Sequence, residues 1–148
     1  MKKIFLVLTL AFSVTLLAQT VEKSKKGIIP SDVKTAFAKE FPNNKAKWGM
    51  EDGGYEAEFK IKGSDASAVY DKKGHRKALE VAIKTAELPI NILEYLKKNY
   101  ATNKITEAAK ITDDKNVVTY EAEIGRDGKS YDVLFDFNGK FIKIVEGD

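Results

Sequence analysis

The sequence contains no cysteine. A chain without thiols forms no disulfide, offers no thiolate to a metal and has no cysteine nucleophile. Its stability must therefore come from a packed core. The 148 residues, of which 43% are hydrophobic, are enough for one ordinary domain or two small fused units.

Histidine is almost as scarce, because His75 is the only one. One histidine without cysteine cannot build a zinc site of the usual kind, and it excludes most serine–histidine machinery unless His75 itself is the base. The sequence also lacks G-x-S-x-G, a P-loop and G-x-G-x-x-G. These absences predict a protein that is not an enzyme, with no catalytic residue, no metal and no cofactor. His75 opens a strand after a turn, so we expect it to be exposed.

Long apolar runs are limited to residues 4–17, which follow Lys2 and Lys3 and precede the small residue Ala18. The run is shorter than the roughly 17–25 residues that span a bilayer. It predicts a cleaved signal peptide over residues 1–18, followed by a flexible leader over residues 19–27. No cysteine is available for acylation. We therefore expect a periplasmic or secreted protein that is not a lipoprotein and does not insert into the membrane after cleavage.

An excess of one charge is also lacking. Two of the 25 lysine and arginine residues lie in the predicted signal, which leaves 23 basic residues against 22 acidic ones. No basic stripe of the kind that binds phosphates is present, so nucleic acid is not an expected partner.

The remaining chain contains the same pattern twice. Tyr-Glu-Ala-Glu-Phe at residues 55–59 recurs as Tyr-Glu-Ala-Glu-Ile at residues 120–124. A strand ending in Asp-x-x-Gly follows each copy, at residues 71–74 and 136–139, and Pro30 and Pro89 open the two units. Such internal similarity predicts two copies of one supersecondary structure, over residues 28–84 and 85–148.

Each copy is predicted to be one helix followed by a four-stranded antiparallel meander. Apolar residues first recur at helical spacing and then alternate with polar ones at a period of two; Trp48 alternates with Ala46 and Met50 on the core side. We expect an α+β fold with a roughly eight-stranded antiparallel sheet and both helices on one face. A continuous sheet is favoured because two small sheets would expose more edges. The second copy has about six extra residues, which we place in its first hairpin turn, where insertions are tolerated.

One group of these residues forms a longer pattern: Pro30, Val33, Phe37, Phe41, Pro42, Lys47, Trp48, Gly53, Gly54, Tyr55, Glu56, Ala57, Glu58, Phe59, Asp71 and Gly74. The pattern resembles the β-lactamase-inhibitor-like, PepSY-like family of proteins exported by Gram-negative bacteria, and the resemblance extends over residues 28–146. It implies a tandem helix-plus-meander fold and suggests binding or inhibition of another protein. The second copy departs from the pattern, because no tryptophan matches Trp48 and Ala101 stands in place of Pro42.

Two sets of residues are candidates for binding. Glu56 and Glu58, and in the second copy Glu121 and Glu123, point the same way from a strand and could hold a cation. The simpler interpretation is a solvated strand face. Separately, the strand alternation leaves Leu134, Phe141 and Val145 on the uncovered side of the sheet beside Lys143, and an apolar patch with a charged rim is typical of a protein-binding surface.

The sequence therefore predicts an exported, non-enzymatic binding module that docks a protein or peptide on the open sheet face. Inhibition of an envelope hydrolase is one form that this docking would take. The alternatives are an envelope protein that binds a small ligand or cation, and a structural or homo-oligomeric element.

Overall fold

The computed structural model describes residues 28–51 and 53–147. The predicted signal peptide and leader lie outside the described residues. Two α-helices and eight strands follow one another along the described chain. They are α1 (Ser31–Glu40), β1 (Lys47–Glu51), β2 (Gly54–Ile61), β3 (Ser64–Tyr70), β4 (Arg76–Ala82), α2 (Ile90–Asn99), β5 (Lys104–Asp113), β6 (Val118–Arg126), β7 (Lys129–Asp136) and β8 (Phe141–Glu146). A short 3₁₀ turn, Thr85–Glu87, precedes α2.

The eight strands form one sheet in chain order, and every neighbouring pair is antiparallel. The two copies are joined by the β4–β5 pair, in which Ala78 lies opposite Asp113 and Ala82 lies opposite Ala109. This confirms the predicted continuous antiparallel sheet and leaves only β1 and β8 as edges.

Both helices begin directly after a proline, whose missing N–H is not needed in the first turn. In α1, Val33 and Phe37 are one turn apart and buried, and the helix ends where the Phe41 N–H donates to the Phe37 carbonyl oxygen. In α2, Ile92 and Leu96 repeat this spacing. None of the helices in the described part of the chain is long and apolar enough to cross a membrane.

Both helices pack on the same face of the sheet, which we call the covered face. Under α1, the Phe37 ring lies 5.0 Å from that of Phe59 and 5.4 Å from that of Trp48, edge to face in both pairs. The predicted core position of Trp48 is therefore confirmed. Under α2, Tyr95 packs against Phe135 at 5.3 Å. Each repeat thus has an aromatic core of its own.

The two Asp-x-x-Gly segments are tight turns, as predicted. The Asp71 carboxylate accepts hydrogen bonds from the N–H groups of Lys73 and His75, and Asp136 accepts the same pair from its own turn. Gly74 has a φ of +81°, and a Cβ added there would come within 2.8 Å of the Asp32 carbonyl oxygen. The turn glycine therefore also allows the turn to approach the start of α1 closely.

The placement of the extra residues in the first hairpin turn of the second copy was largely wrong. Strand β5 has 10 residues where β1 has 5. The step from the end of one strand to the start of the next grows much less, from Glu51 and Gly54 in the first copy to Asp113 and Val118 in the second. Because β5 is paired on both sides, added residues there gain ladder hydrogen bonds with β4 and β6.

Candidate functional site

The sheet face opposite the helices is called the open face. Alternation along β2 directs Tyr55, Ala57 and Phe59 toward the helices and places Glu56 and Glu58 on the open face. On β4, Glu80 occupies the same face, opposite Ser67 of β3 and Ile111 of β5.

The open face is concave and contains a groove of about 820 Å³. Lys47 of β1 and Gly147 at the other end of the chain both line it, so the sheet curls around the groove. Small residues make room between the strands: Ser67, Ala82 and Ala109. The charged residues that line the groove are three lysines and seven acids: Lys45, Lys47, Lys60, Glu58, Asp65, Glu80, Glu107, Glu121, Glu123 and Asp132.

Glu80 is the most deeply buried of these acids, with 1% of its surface exposed. Neither of its carboxylate oxygens has a hydrogen-bond partner. Burial raises the pKa of Glu80 from 4.5 to about 8, with further increases from the nearby charges of Glu56, Asp132 and Glu107. A buried, unpartnered acid is uncommon in a folded protein and needs a physical or functional reason.

Glu121 shares this environment, with 8% of its surface exposed. Burial raises the pKa of Glu121 to about 9, and the charges of Glu80, Asp132, Glu123 and Glu107 add to the increase. Burial also raises the pKa of Glu56. The interpretation of Glu56 and Glu121 as solvated strand residues is therefore wrong: the curl of the sheet removes them from water.

The other two predicted glutamates are half-buried and have partners. The Glu58 carboxylate is 3.0 Å from Lys47 Nζ, and Glu123 accepts a hydrogen bond from the Thr106 hydroxyl. At the same end of the groove as Glu58, Lys60 Nζ lies 2.6 Å from Asp65. Two of the three lysines are thus already paired with acids of the groove itself.

The structure gives little support for a metal at the four glutamates. Glu58, Glu121 and Glu123 line the groove, but Glu56 does not. Over residues 28–51 and 53–147, no group of three histidine or acidic side chains is arranged to hold a metal ion. His75 is exposed, as expected, and its Nδ1 lies 2.9 Å from Asp71 within the turn.

The apolar patch predicted around Leu134 does not form. Leu134 does lie on the open face, opposite Glu121 and Lys143, but only 7% of it is exposed. Val145 lies opposite Asp132 on this face and is half-buried.

The placement of Phe141 on the open face was wrong. A bulge in β8 skips Ile142 in the pairing, so Phe141 lies opposite Phe135 and its ring stacks on that of Tyr95, 5.4 Å away. One inserted residue reverses the face of every residue on one side of it.

Sequence reasoning missed Glu80, Glu107 and Asp132, which the sheet brings into the groove. Strand β4 did contain a signal for Glu80. This acid lies on the open face between two small residues, Ala78 and Ala82, whereas Leu79 and Val81 point to the covered face. Small neighbours leave space beside a strand residue, but they do not show whether water or protein fills it.

A continuous meander sheet with a helix over each half defines a class of tandem-repeat α+β proteins with one open sheet face. The family model described as "Putative beta-lactamase-inhibitor-like, PepSY-like" matches residues 19–75 and 50–143. Together these segments span well over half of the chain, and the chain belongs to this family. The resemblance seen in the sequence is confirmed.

Solved structures share the fold. A protein from Bacteroides eggerthii DSM 20697, described as "putative periplasmic", has a TM-score of 0.74 at 15% identity, covering 81% of this chain and 90% of its own. A DUF2874 family protein from Bacteroides uniformis ATCC 8492 has a TM-score of 0.72 at 20% identity, covering 79% and 88%. A BLIP-like protein from Bacteroides fragilis NCTC 9343 has a TM-score of 0.67 at 18% identity, covering 83% and 92%. The search of curated proteins finds no match.

Proposed function

We propose that this chain is an exported, non-enzymatic binding module that docks a protein or peptide in the groove of its open sheet face. The observation that carries the proposal is the groove itself, a concavity of about 820 Å³ with the unpartnered carboxylate of Glu80 among its lining groups. Its volume falls within the roughly 300–1,000 Å³ typical of binding sites.

The family supports binding rather than catalysis. Its description is inhibitor-like, and one solved structure with the same fold is named BLIP-like. Another is described as periplasmic, which supports a location in the cell envelope. Inhibition of an envelope hydrolase is therefore the form of docking that we test first.

The groove disfavours the homo-oligomeric alternative. A two-fold contact between copies through this face would place the same acidic residues opposite one another, among them Glu107, Glu123 and Asp132. Juxtaposed like charges cost several kcal/mol at an interface. A different molecule is therefore the better occupant.

The test is affinity capture from an envelope extract of the source organism, with the mature chain from Gln19 as bait. Ala82→Leu fills the groove, and Ala86→Leu, at an exposed position of the 3₁₀ turn, is the matched control. We expect one partner retained by the wild type and Ala86→Leu but lost with Ala82→Leu. That partner is then assayed for inhibition if it is a hydrolase. Equal capture by both variants would show that the groove is not the docking site.

A further inference from the structure

We propose, as a refinement that rests on the docking function above, that the groove receives an arginine or lysine side chain from a basic segment of the partner protein. Three features carry this inference: the charge of the groove, the unpartnered acid within it and the small residues that give it room.

The first feature is an imbalance of charge. Acids outnumber lysines in the groove by seven to three, and the lysines Lys47 and Lys60 are already paired with Glu58 and Asp65. The remaining acids come from β4 to β7, on the side of the groove away from these pairs. This half of the groove is complementary to a cation.

The second feature is Glu80. Both of its oxygens are buried and without a hydrogen-bond partner, and leaving such a group unsatisfied opposes folding. Glu121 and Glu123 also line the groove and are more exposed than Glu80, so they are accessible to an entering cation. A positive charge at this point favours the ionised form of the whole cluster and offsets the cost of burying it.

The third feature is shape. Ala82 and Ala109 leave the groove open between β4, β5 and β6. Arginine and lysine bury an aliphatic stem along apolar surface while presenting a charged head. A groove with small apolar residues beside carboxylates suits both parts of such a side chain.

Binding of a cation here is coupled to proton release. The charged groups on the open face around Glu80 come from several strands: Glu56, Glu107, Glu121, Glu123, Asp132 and Lys143. In the free protein, Glu80 and Glu121 retain protons well above pH 4.5. A cationic side chain that binds the ionised groove must displace these protons. Its affinity for the groove therefore rises as the pH rises toward 9. Arginine remains charged throughout this range.

The experiment measures binding of a penta-arginine peptide to the mature chain by calorimetry at pH 6.5 and 8.5. A penta-citrulline peptide is the neutral control. The variant Glu121→Gln is compared with Glu94→Gln, whose residue is exposed on α2 on the other side of the sheet. Repeating each titration in two buffers of different ionisation enthalpy reports the protons released.

We expect binding of the arginine peptide alone, tighter at pH 8.5 than at pH 6.5, with protons released. Glu121→Gln should weaken binding by roughly tenfold at pH 8.5, about 1.4 kcal/mol, and reduce proton release, while Glu94→Gln behaves as wild type. Equal binding of citrulline, or equal effects of the two variants, would overturn the proposal.

The basic-segment proposal and the docking proposal can be refuted independently of each other. If no cationic peptide binds but Ala82→Leu still abolishes capture of a partner, the groove is a docking site that does not recognise a basic segment. If the arginine peptide binds as expected but capture is unaffected by Ala82→Leu, the cation site stands and the captured partner docks elsewhere.

Discussion

The two faces of this sheet are made from the same eight strands but differ in the acids that they bury. The covered face buries aromatic rings and aliphatic residues under two helices. No helix covers the open face, yet it buries four acids, none of which has more than 8% of its surface exposed: Glu56, Glu80, Glu121 and Asp132. Burial on one face stabilises the fold, whereas burial of acids on the other opposes it.

This contrast separates the stabilising part of the molecule from the candidate functional part. Sequences in which every local choice favours the fold are the rule, and exceptions concentrate at functional sites. The acids of the open face are such an exception. If this contrast is correct, truncation on the covered face costs the most stability and changes at the exposed edge of the groove cost the least.

Truncation on the covered face should be the most damaging change. Phe135 is fully buried and contacts the rings of Tyr95 and Phe141. We expect Phe135→Ala to lower the free energy of unfolding by about 3–5 kcal/mol, measured by urea denaturation. Phe137→Ala removes a ring that is 64% exposed and should cost less than about 0.5 kcal/mol. Similar losses in both variants would contradict the assignment of the core.

The open face should make the protein less stable as the pH rises. Folding raises the pKa of Glu80 from 4.5 to about 8 and that of Glu121 to about 9. The native state therefore holds more protons than the unfolded state between these values, and its stability is lost as the pH rises through them. Each unit of pKa shift corresponds to about 1.4 kcal/mol, so from pH 5 to pH 9.5 we expect the free energy of unfolding to decrease by at least about 2 kcal/mol.

The matched variant for this experiment is the double substitution Glu80→Gln/Glu121→Gln. It keeps the shape of both side chains but removes their titration, so its stability should change less across the same pH range. A wild type whose stability is flat or increases with pH would show that the buried acids do not govern it.

A single apolar replacement on the open face should stabilise the protein. Glu80 is unpartnered, so Glu80→Met removes a buried polar group without breaking a hydrogen bond. We expect the free energy of unfolding at pH 7 to increase by about 1 kcal/mol, measured by urea denaturation. Glu94→Met, at an exposed position, is the comparison. Destabilisation by Glu80→Met alone would mean that the carboxyl has a structural role.

The exposed ion pair at the edge of the groove, Lys47–Glu58, should contribute least to the stability of the fold. The Lys47–Glu58 pair is solvent-exposed, with 70% and 39% of the two side chains accessible. Such pairs contribute about 0–1 kcal/mol, so we expect Glu58→Gln to change stability by no more than about 0.5 kcal/mol at low salt. A double-mutant cycle with Lys47→Gln isolates the pair, and a larger coupling would show that the pair belongs to the structural part of the molecule.

Most of the fold follows from patterns that can be read locally. The spacing of Val33 and Phe37 predicts a helix, the alternation in residues 55–59 predicts a strand, and Asp-x-x-Gly predicts each tight turn. These depend on neighbours along the chain, so they need no knowledge of long-range contacts. The bulge at Ile142 had no such signal, and for that reason Phe141 was assigned to the wrong face.

The candidate site was only partly predictable. Strand alternation identifies Glu58, Glu121 and Glu123 as candidates because it shows which residues share a face. Alternation does not show how far that face is from water. Glu80, Glu107 and Asp132 join them only because the sheet curls and brings β4, β5 and β7 around one groove.

Local patterns in the amino-acid sequence specify the repeat, the order of helices and strands, the membership of the PepSY-like family and, away from the β8 bulge, which side chains share a face. The tertiary structure alone decided that acids far apart in the chain meet, that they lose contact with water and that their pKa values rise. The physical reason is that periodicity is a property of neighbouring residues, whereas burial and electrostatic interaction depend on the curvature of the whole sheet.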